Sequence, residues 1–248
     1  MITIDDVIHK VLIGIYSNEN LKEELYLKGG QALRFTYGIK NRFSRDSDFS
    51  IPKKIENDKT FFDHFKNAVK NEFLKDNLHI IDFKYTRRPN VKSDGSPDFW
   101  QGWAVEFKLI NSDDLILPKE KQSRNAIVPV GSPTSKIPID ISEMEYCDGF
   151  KKIKIDSTEV KVYSKELLVL EKLRAICQSH PDYKYRSTKT NRARDFYDIE
   201  QIYSMVLDSE DPDKFFKNCS IHLENVFKAK EVPLDILEKC LNDEDFLN

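Results

Sequence analysis

The chain has 248 residues, with 39 Lys or Arg against 42 Asp or Glu and a formal net charge of −3. This balance excludes a polybasic nucleic-acid coat, an acidic tail or a membrane-surface binder acting through gross charge. An apolar share of 40%, with 16 Phe and 10 Tyr, supplies a real core and argues against disorder. The opening carries Asp5 and Asp6 where a signal peptide has Lys or Arg, and no apolar run approaches the ~20 residues of a membrane span. A soluble, cytoplasmic protein without membrane contact is expected. Cys147, Cys177, Cys219 and Cys240 form no Cys-x-x-Cys pair, which argues against a zinc site or a disulfide framework.

Val7, Ile8, Val11, Leu12 and Ile15 recur at helical spacing behind two aspartates and predict an opening amphipathic helix. The apolar run Leu25-Tyr26-Leu27 reads as a buried strand that stops at Gly29-Gly30, followed by a helix from Gln31 to Tyr37 that ends at Gly38. Arg45 to Ile51 returns to a strand, and Lys59 to Leu74 is helical, with Phe61, Phe62, Phe65, Val69 and Phe73 on one side. Strands are predicted at His79 to Thr86, Trp100 to Ile110 and Ile137 to Glu143, the last beyond a loop containing Pro and Ser. After a small strand pair around Asp156-Ser157 the pattern is helical: Ser164 to Gln178, Asn191 to Val206, Asp211 to Phe227 and Pro233 to Leu241. The expected class is α+β, a mixed sheet with flanking helices over residues 1–155 and a C-terminal helical bundle over residues 156–248.

Most of the chemistry sits in Lys28-Gly29-Gly30-Gln31-Ala32-Leu33-Arg34 and its continuation from Arg42 through Arg45-Asp46-Ser47-Asp48 to Ser50. Glycines between a strand and a helix let a ligand approach the backbone, and the amides at the helix start suit a phosphate. Asp46 and Asp48 lie two apart on a predicted strand, so both carboxylates leave one face and invite a cation such as Mg²⁺. A third carboxylate allows two metals to flank an in-line phosphoryl or nucleotidyl displacement. Ile137, Ile139 and Ile141 alternate with Asp140, which makes Asp140 the candidate and leaves Glu143 and Glu145 as fallbacks.

The segment LKGGQALRFTYGIKNRFSRDSDFS resembles the glycine-pair and Asp-x-Asp motifs of the AbiEii/AbiGii toxin nucleotidyltransferases, within the polymerase-beta-like superfamily. Downstream, VYSKELLVLEKLRAICQ and RARDFYDIEQI are similar to that family's lysine helix and its Arg-Asp-x-x-Asp helix. The resemblance implies a polymerase-beta-like core in which Gly29 and Gly30 line the triphosphate and Asp46, Asp48 and Asp140 hold two Mg²⁺ ions. It implies that Lys172 contacts the nucleotide phosphates, with Asp195 and its neighbour Asp198 completing the last motif. Gln31 stands where the superfamily commonly has Ser or Thr, so an amide replaces a hydroxyl beside the phosphate. The activity implied is transfer of a nucleoside monophosphate from an NTP to a hydroxyl on an RNA such as tRNA. The setting implied is a type IV-like toxin–antitoxin pair with the antitoxin encoded nearby.

Helical spacing agrees with that mapping. Lys172 falls at the edge of a stripe of Val169, Leu170, Leu173, Ile176 and Cys177, from which a lysine can present its ammonium to a cleft. Phe196, Ile199, Ile202 and Tyr203 are expected to face the core, with Asp195 and Asp198 sharing a side and Arg194 placed to pair with Asp198. Basic clusters at Lys84, Arg87, Arg88 and Lys92 and at Lys184, Arg186, Lys189, Arg192 and Arg194 suit an RNA backbone, while Trp100 and Trp103 offer rings to a base. Solvated surface and buried packing are the plainer readings of these. The five histidines show no metal-ligand spacing. Two other functions compete. Asp98, Glu106 and Lys108 spell the Asp…Glu-x-Lys layout of a metal-dependent nuclease, and a non-catalytic nucleotide or RNA-binding module would keep the glycines alone.

Overall fold

The computed structural model describes residues 1–39, 46–90, 97–185, 192–209 and 211–243. Arg42, Arg45, Lys92, Arg186 and Lys189 fall outside the described residues. The described chain groups into two compact units, both discontinuous in sequence: residues 1–39, 46–90, 101–143 and 152–162, and residues 97–100, 144–151, 163–185, 192–209 and 211–243.

The first unit is built on a seven-stranded mixed sheet. Its strands are β1 (Tyr26–Lys28), β2 (Ser47–Ser50), β3 (Leu78–Arg88), β4 (Gly102–Asn111), β5 (Ile137–Ser142), β6 (Lys151–Ile155) and β7 (Thr158–Val162), in the order β3-β4-β5-β2-β1-β7-β6. The β2–β5 and β1–β7 pairs are parallel, and β1–β2, β3–β4 and β4–β5 are antiparallel. Alternation makes the two faces chemically different. One carries Tyr85, Trp103, Val105, Phe107, Ile139, Ile141 and Phe49, and the helix α3 (Asp58–Leu74) packs on it, with Phe62 stacked on Tyr85 and Phe73 edge-on to Phe107. The opening helix α1 (Ile4–Tyr16) starts at a capping box between Thr3 and Asp6 and crosses α3 closely at Gly14, where a Cβ would press on the Ala68 carbonyl oxygen. With this face filled by aromatic and branched residues, the opposite face of the central strands is left for polar groups.

The predicted elements recur with shifted ends. The helix after the glycine pair is α2 (Gly29–Tyr37), so the glycines lie inside its first turn, and Gly38 closes it in the left-handed conformation at φ +70°. The stretch expected as loop before β5 holds a 3-10 turn, Ser112–Ile116, and a short helix, α4 (Lys119–Arg124). Both are too short for a hydrophobic period to announce them.

The second unit is helical, with α5 (Lys165–Cys177), α6 (Ala193–Ser209), α7 (Pro212–Lys228) and α8 (Asp235–Asn242). The helix α5 is the hub, contacted by the other three and buried on nearly every side. Ser164 caps it through the Leu167 amide, and Asp211 caps α7 ahead of Pro212. An aromatic cluster of Phe99, Trp100, Tyr183 and Tyr185 adds to this core.

Candidate active site

In the first unit, Gly29 opens α2 with φ +65°, and a Cβ built there would collide with Oδ2 of Asp48. The glycine is required twice, by its backbone and by the carboxylate against it. The N-cap residue Lys28 makes no side-chain cap to this helix start, where the helix dipole is positive.

Lys28, Asp48 and Asp140 stand side by side across β1, β2 and β5, since Lys28 is in register with Asp48 and Asp48 with Asp140. Adjacent strands lie about 4.8 Å apart, and register partners project to the same face. Asp46 precedes β2, in an exposed bend. Asp140 is half-buried and accepts an ion pair from Arg88 of β3 at 3.6 Å. Burial pushes the Asp140 carboxyl above the ordinary carboxylate range; Arg88 and Lys28 pull it back in part, and the like charge of Asp46 adds to the rise.

Among the described residues, no three His, Cys, Asp or Glu side chains are gathered into a group ready to hold a metal. The expected trio of Asp46, Asp48 and Asp140 is therefore not a closed cluster. Asp48 and Asp140 are locked in register, while Asp46 falls short of the strand that was expected to carry it. The carboxylate pair still fits a hard divalent cation, because Mg²⁺ is commonly held by one or two carboxylates plus water and substrate phosphates. Gln31 is fully buried, so its side chain is no exposed phosphate contact and any contribution comes from its backbone amide.

The fallback acids have structural employment. Glu143 is fully buried and accepts from Arg87 at 2.8 Å, the Trp103 indole at 2.9 Å and the Ile55 amide at 3.0 Å. Glu145, in the second unit, binds Arg174 at 2.8 Å and Lys230 at 3.2 Å. Trp103 is buried beneath Arg87 and against Phe62 and so is closed to a base, while Trp100 is partly exposed and packs in its aromatic cluster. On β4, Glu106 pairs with Lys84 at 2.9 Å and Lys136 at 3.3 Å, and Lys108 pairs with Asp82 at 2.9 Å. These ladders explain the nuclease-like spelling as a half-exposed strand. Asp98 is exposed and belongs to the other unit.

In the second unit the structure brings Lys172, Asp195 and Asp198 together. The Lys172 ammonium donates to Asp198 at 2.5 Å and Asp195 at 3.3 Å, and Arg192 reaches Asp195 at 3.4 Å. Lys172 is only 6% exposed and Asp198 is fully buried, so the lysine is held inside a charge cluster and does not snorkel at a helix edge. The α6 face is correspondingly turned. Phe196 and Tyr203 are 43% and 39% exposed, whereas Asp198, Ile202 and Val206 are buried. A buried ammonium on α5 demands an anion, and that demand outweighs burial of two aromatic rings. Arg194 is exposed, and Lys172 takes the place expected for it opposite Asp198.

Lys28 and Arg88 flank the Asp48–Asp140 carboxylate row without a local pattern that marks them, Arg88 standing in the sequence only as part of a basic cluster. The one signal for Lys28 was its position directly before the glycines at a strand end. For Arg88 there was none, because its contact with Asp140 spans two strands of the sheet.

A glycine-opened helix backed by an aspartate, with a second aspartate in register on the neighbouring parallel strand, is an arrangement whose chemistry suits a phosphate beside a divalent cation. The family model described as nucleotidyl transferase AbiEii toxin, type IV TA system, matches residues 10–246, and the chain belongs to that family. Comparison with curated proteins found no match. Among solved structures, the chain is similar to a candidate nucleotidyltransferase from H. pylori, at 19% identity and TM-score 0.46, covering 92% of this chain and 80% of that one. It is also similar to an antigenic nucleotidyltransferase-like protein from Paracoccidioides brasiliensis, at 15% identity and TM-score 0.42, covering 93% and 94%. A third is MenT4, a nucleotidyltransferase toxin from Mycobacterium tuberculosis, at 14% identity and TM-score 0.35, covering 70% and 52%. These likenesses are distant, and membership rests on the family model. Among the described residues no helix is long and apolar enough to cross a membrane.

Proposed function

We propose that the enzyme transfers a nucleoside monophosphate from an NTP to a hydroxyl of an RNA, a tRNA in the first instance, using Mg²⁺ and releasing pyrophosphate. The acceptor hydroxyl gives up its proton to water as its oxygen forms the new bond to the α-phosphorus, the bond from that phosphorus to the α,β-bridging oxygen breaks, and the electron pair leaves with pyrophosphate. The observation that carries this reading is the register pair Asp48–Asp140 beside Gly29. Asp48 and Asp140 would hold the cation, with Asp46 adding negative charge to Asp140. A bound ion would supply Lewis-acid activation of the acceptor oxygen and charge compensation for the triphosphate.

The remaining work falls to the chain's own groups. The amides of Gly29, Gly30 and Gln31 receive phosphate oxygens at the start of α2. Lys172 is assigned to offset the charge that builds on the leaving pyrophosphate, with Asp195 and Asp198 fixing its ammonium. In this reading residues 1–155 form the nucleotidyltransferase domain, and residues 156–248 contribute the lysine and the final acidic motif. The family's type IV setting supports a toxin held in check by an antitoxin, acting in the cytoplasm, where NTPs and tRNA are found. Incubation with Mg²⁺, each labelled NTP in turn and total tRNA tests the proposal. Label is expected to enter RNA from at least one NTP and to be lost when EDTA replaces Mg²⁺; RNA shortening without label entry refutes it.

A further inference from the structure

The contact between Arg88 and Asp140 has a specific cause. Arg88 ends β3 in register with Gly102 of β4, and Ala104 of β4 is in register with Asp140 of β5. Between the arginine and the aspartate, β4 presents the small residues Gly102 and Ala104 to this face, with Glu106 further along. The Arg88 side chain reaches across these small residues, roughly two strand spacings or about 10 Å, to the carboxylate. A Cβ at Gly102 would clash with the Ile141 carbonyl oxygen, so the glycine is fixed by backbone packing. The Arg88 side chain remains 67% exposed, and its N–O distance of 3.6 Å is that of a loose pair. Asp140 is one of the two carboxylates assigned above to the divalent cation. Arg88 and the cation thus compete for one partner.

We infer that Arg88 is a nucleotide-binding residue that exchanges partners, holding Asp140 while the metal is absent and a triphosphate oxygen once the metal has taken Asp140. This deepens the proposed function and rests on its metal assignment. A guanidinium freed at the edge of the carboxylate row meets the most negative part of the substrate, and its planar fork suits two phosphate oxygens, which an ammonium matches less well. Before substrate arrives, the same arginine weakens metal binding, because displacing a largely exposed ion pair carries a modest cost.

The test uses the full chain, comparing wild type with Arg88→Ala, Arg88→Lys and Asp140→Asn. Mn²⁺ binding is followed calorimetrically, alone and then with a non-hydrolysable NTP analogue. Arg88→Ala is expected to bind Mn²⁺ about two- to fivefold more tightly without nucleotide. In saturating Mn²⁺ it is expected to bind the analogue about tenfold or more weakly, with Arg88→Lys intermediate. Mn²⁺ affinity that is unchanged or reduced in Arg88→Ala, or analogue affinity equal to wild type, overturns the inference. If Asp140→Asn still loses Mn²⁺ in that case, the metal assignment stands and only the role of Arg88 falls. If wild type binds no Mn²⁺, or Asp140→Asn binds it as wild type does, both fall together.

Discussion

Replacing Gly29 with Ala separates the cost to stability from the cost to function. At φ +65° an L side chain pays roughly 1–2 kcal/mol for the left-handed backbone. The new methyl also meets Asp48, whose Cγ and Cβ would lie at 3.1 and 3.2 Å and whose Oδ2 would lie closer still. That oxygen is the tip of a side chain and has to retreat by about 1 Å, a small mechanical cost. It is also the group assigned to the cation, and a displacement of about 1 Å in a reacting array is worth about 10²-fold in rate. The expected result is a loss of about 1–2 kcal/mol, or about 2–8 °C in Tm, together with a fall in label transfer of about 10²-fold. Chemical denaturation and the transfer assay read the two effects. Near-wild-type transfer by the folded Gly29→Ala protein would refute the argument that Gly29 exists to seat Asp48.

Other outcomes follow from the buried charges. Asp198→Ala leaves the Lys172 ammonium without its nearest partner and should cost about 3–5 kcal/mol, while the combined change of Lys172→Met with Asp198→Leu recovers most of it; denaturant titration decides, and a loss below about 1 kcal/mol for Asp198→Ala contradicts the cluster. Because the Asp140 carboxyl is raised above its unfolded value, the folded state holds its proton more tightly, and this group's contribution to stability falls as pH rises through that window. Asp140→Asn in EDTA should thus lose that part of the pH dependence and be no less stable than wild type at pH 7, whereas a destabilised variant would show that the Arg88 pair outweighs burial. Glu106→Ala breaks only the partly exposed pairs with Lys84 and Lys136 and should keep label transfer within about twofold of wild type, with loss of activity arguing for the nuclease site.

How far these features were legible in the sequence depended on whether their cause was local. The glycine pair, the Ile137-Ile139-Ile141 alternation and the capped helices obey rules of a few residues, and the structure repeats them nearly in place. The alternation offered Asp140 as a third carboxylate, but the register that sets it beside Asp48 joins positions far apart in the chain and was not legible in local pattern. Phe196 and Tyr203 stand outside although they are hydrophobic, because the inner face of α6 carries Asp198 to the Lys172 charge on another helix. Asp46 is a different case. Its spacing from Asp48 was right for a strand that in fact begins at Ser47.

The account stands most directly on Asp48. The decisive measurement is the mass of the RNA acceptor after incubation with Mg²⁺ and the competent NTP, for wild type and for Asp48→Asn shown to be folded. The account predicts a gain of one or more nucleoside monophosphates with wild type and none with the variant. An equal gain with Asp48→Asn would contradict it.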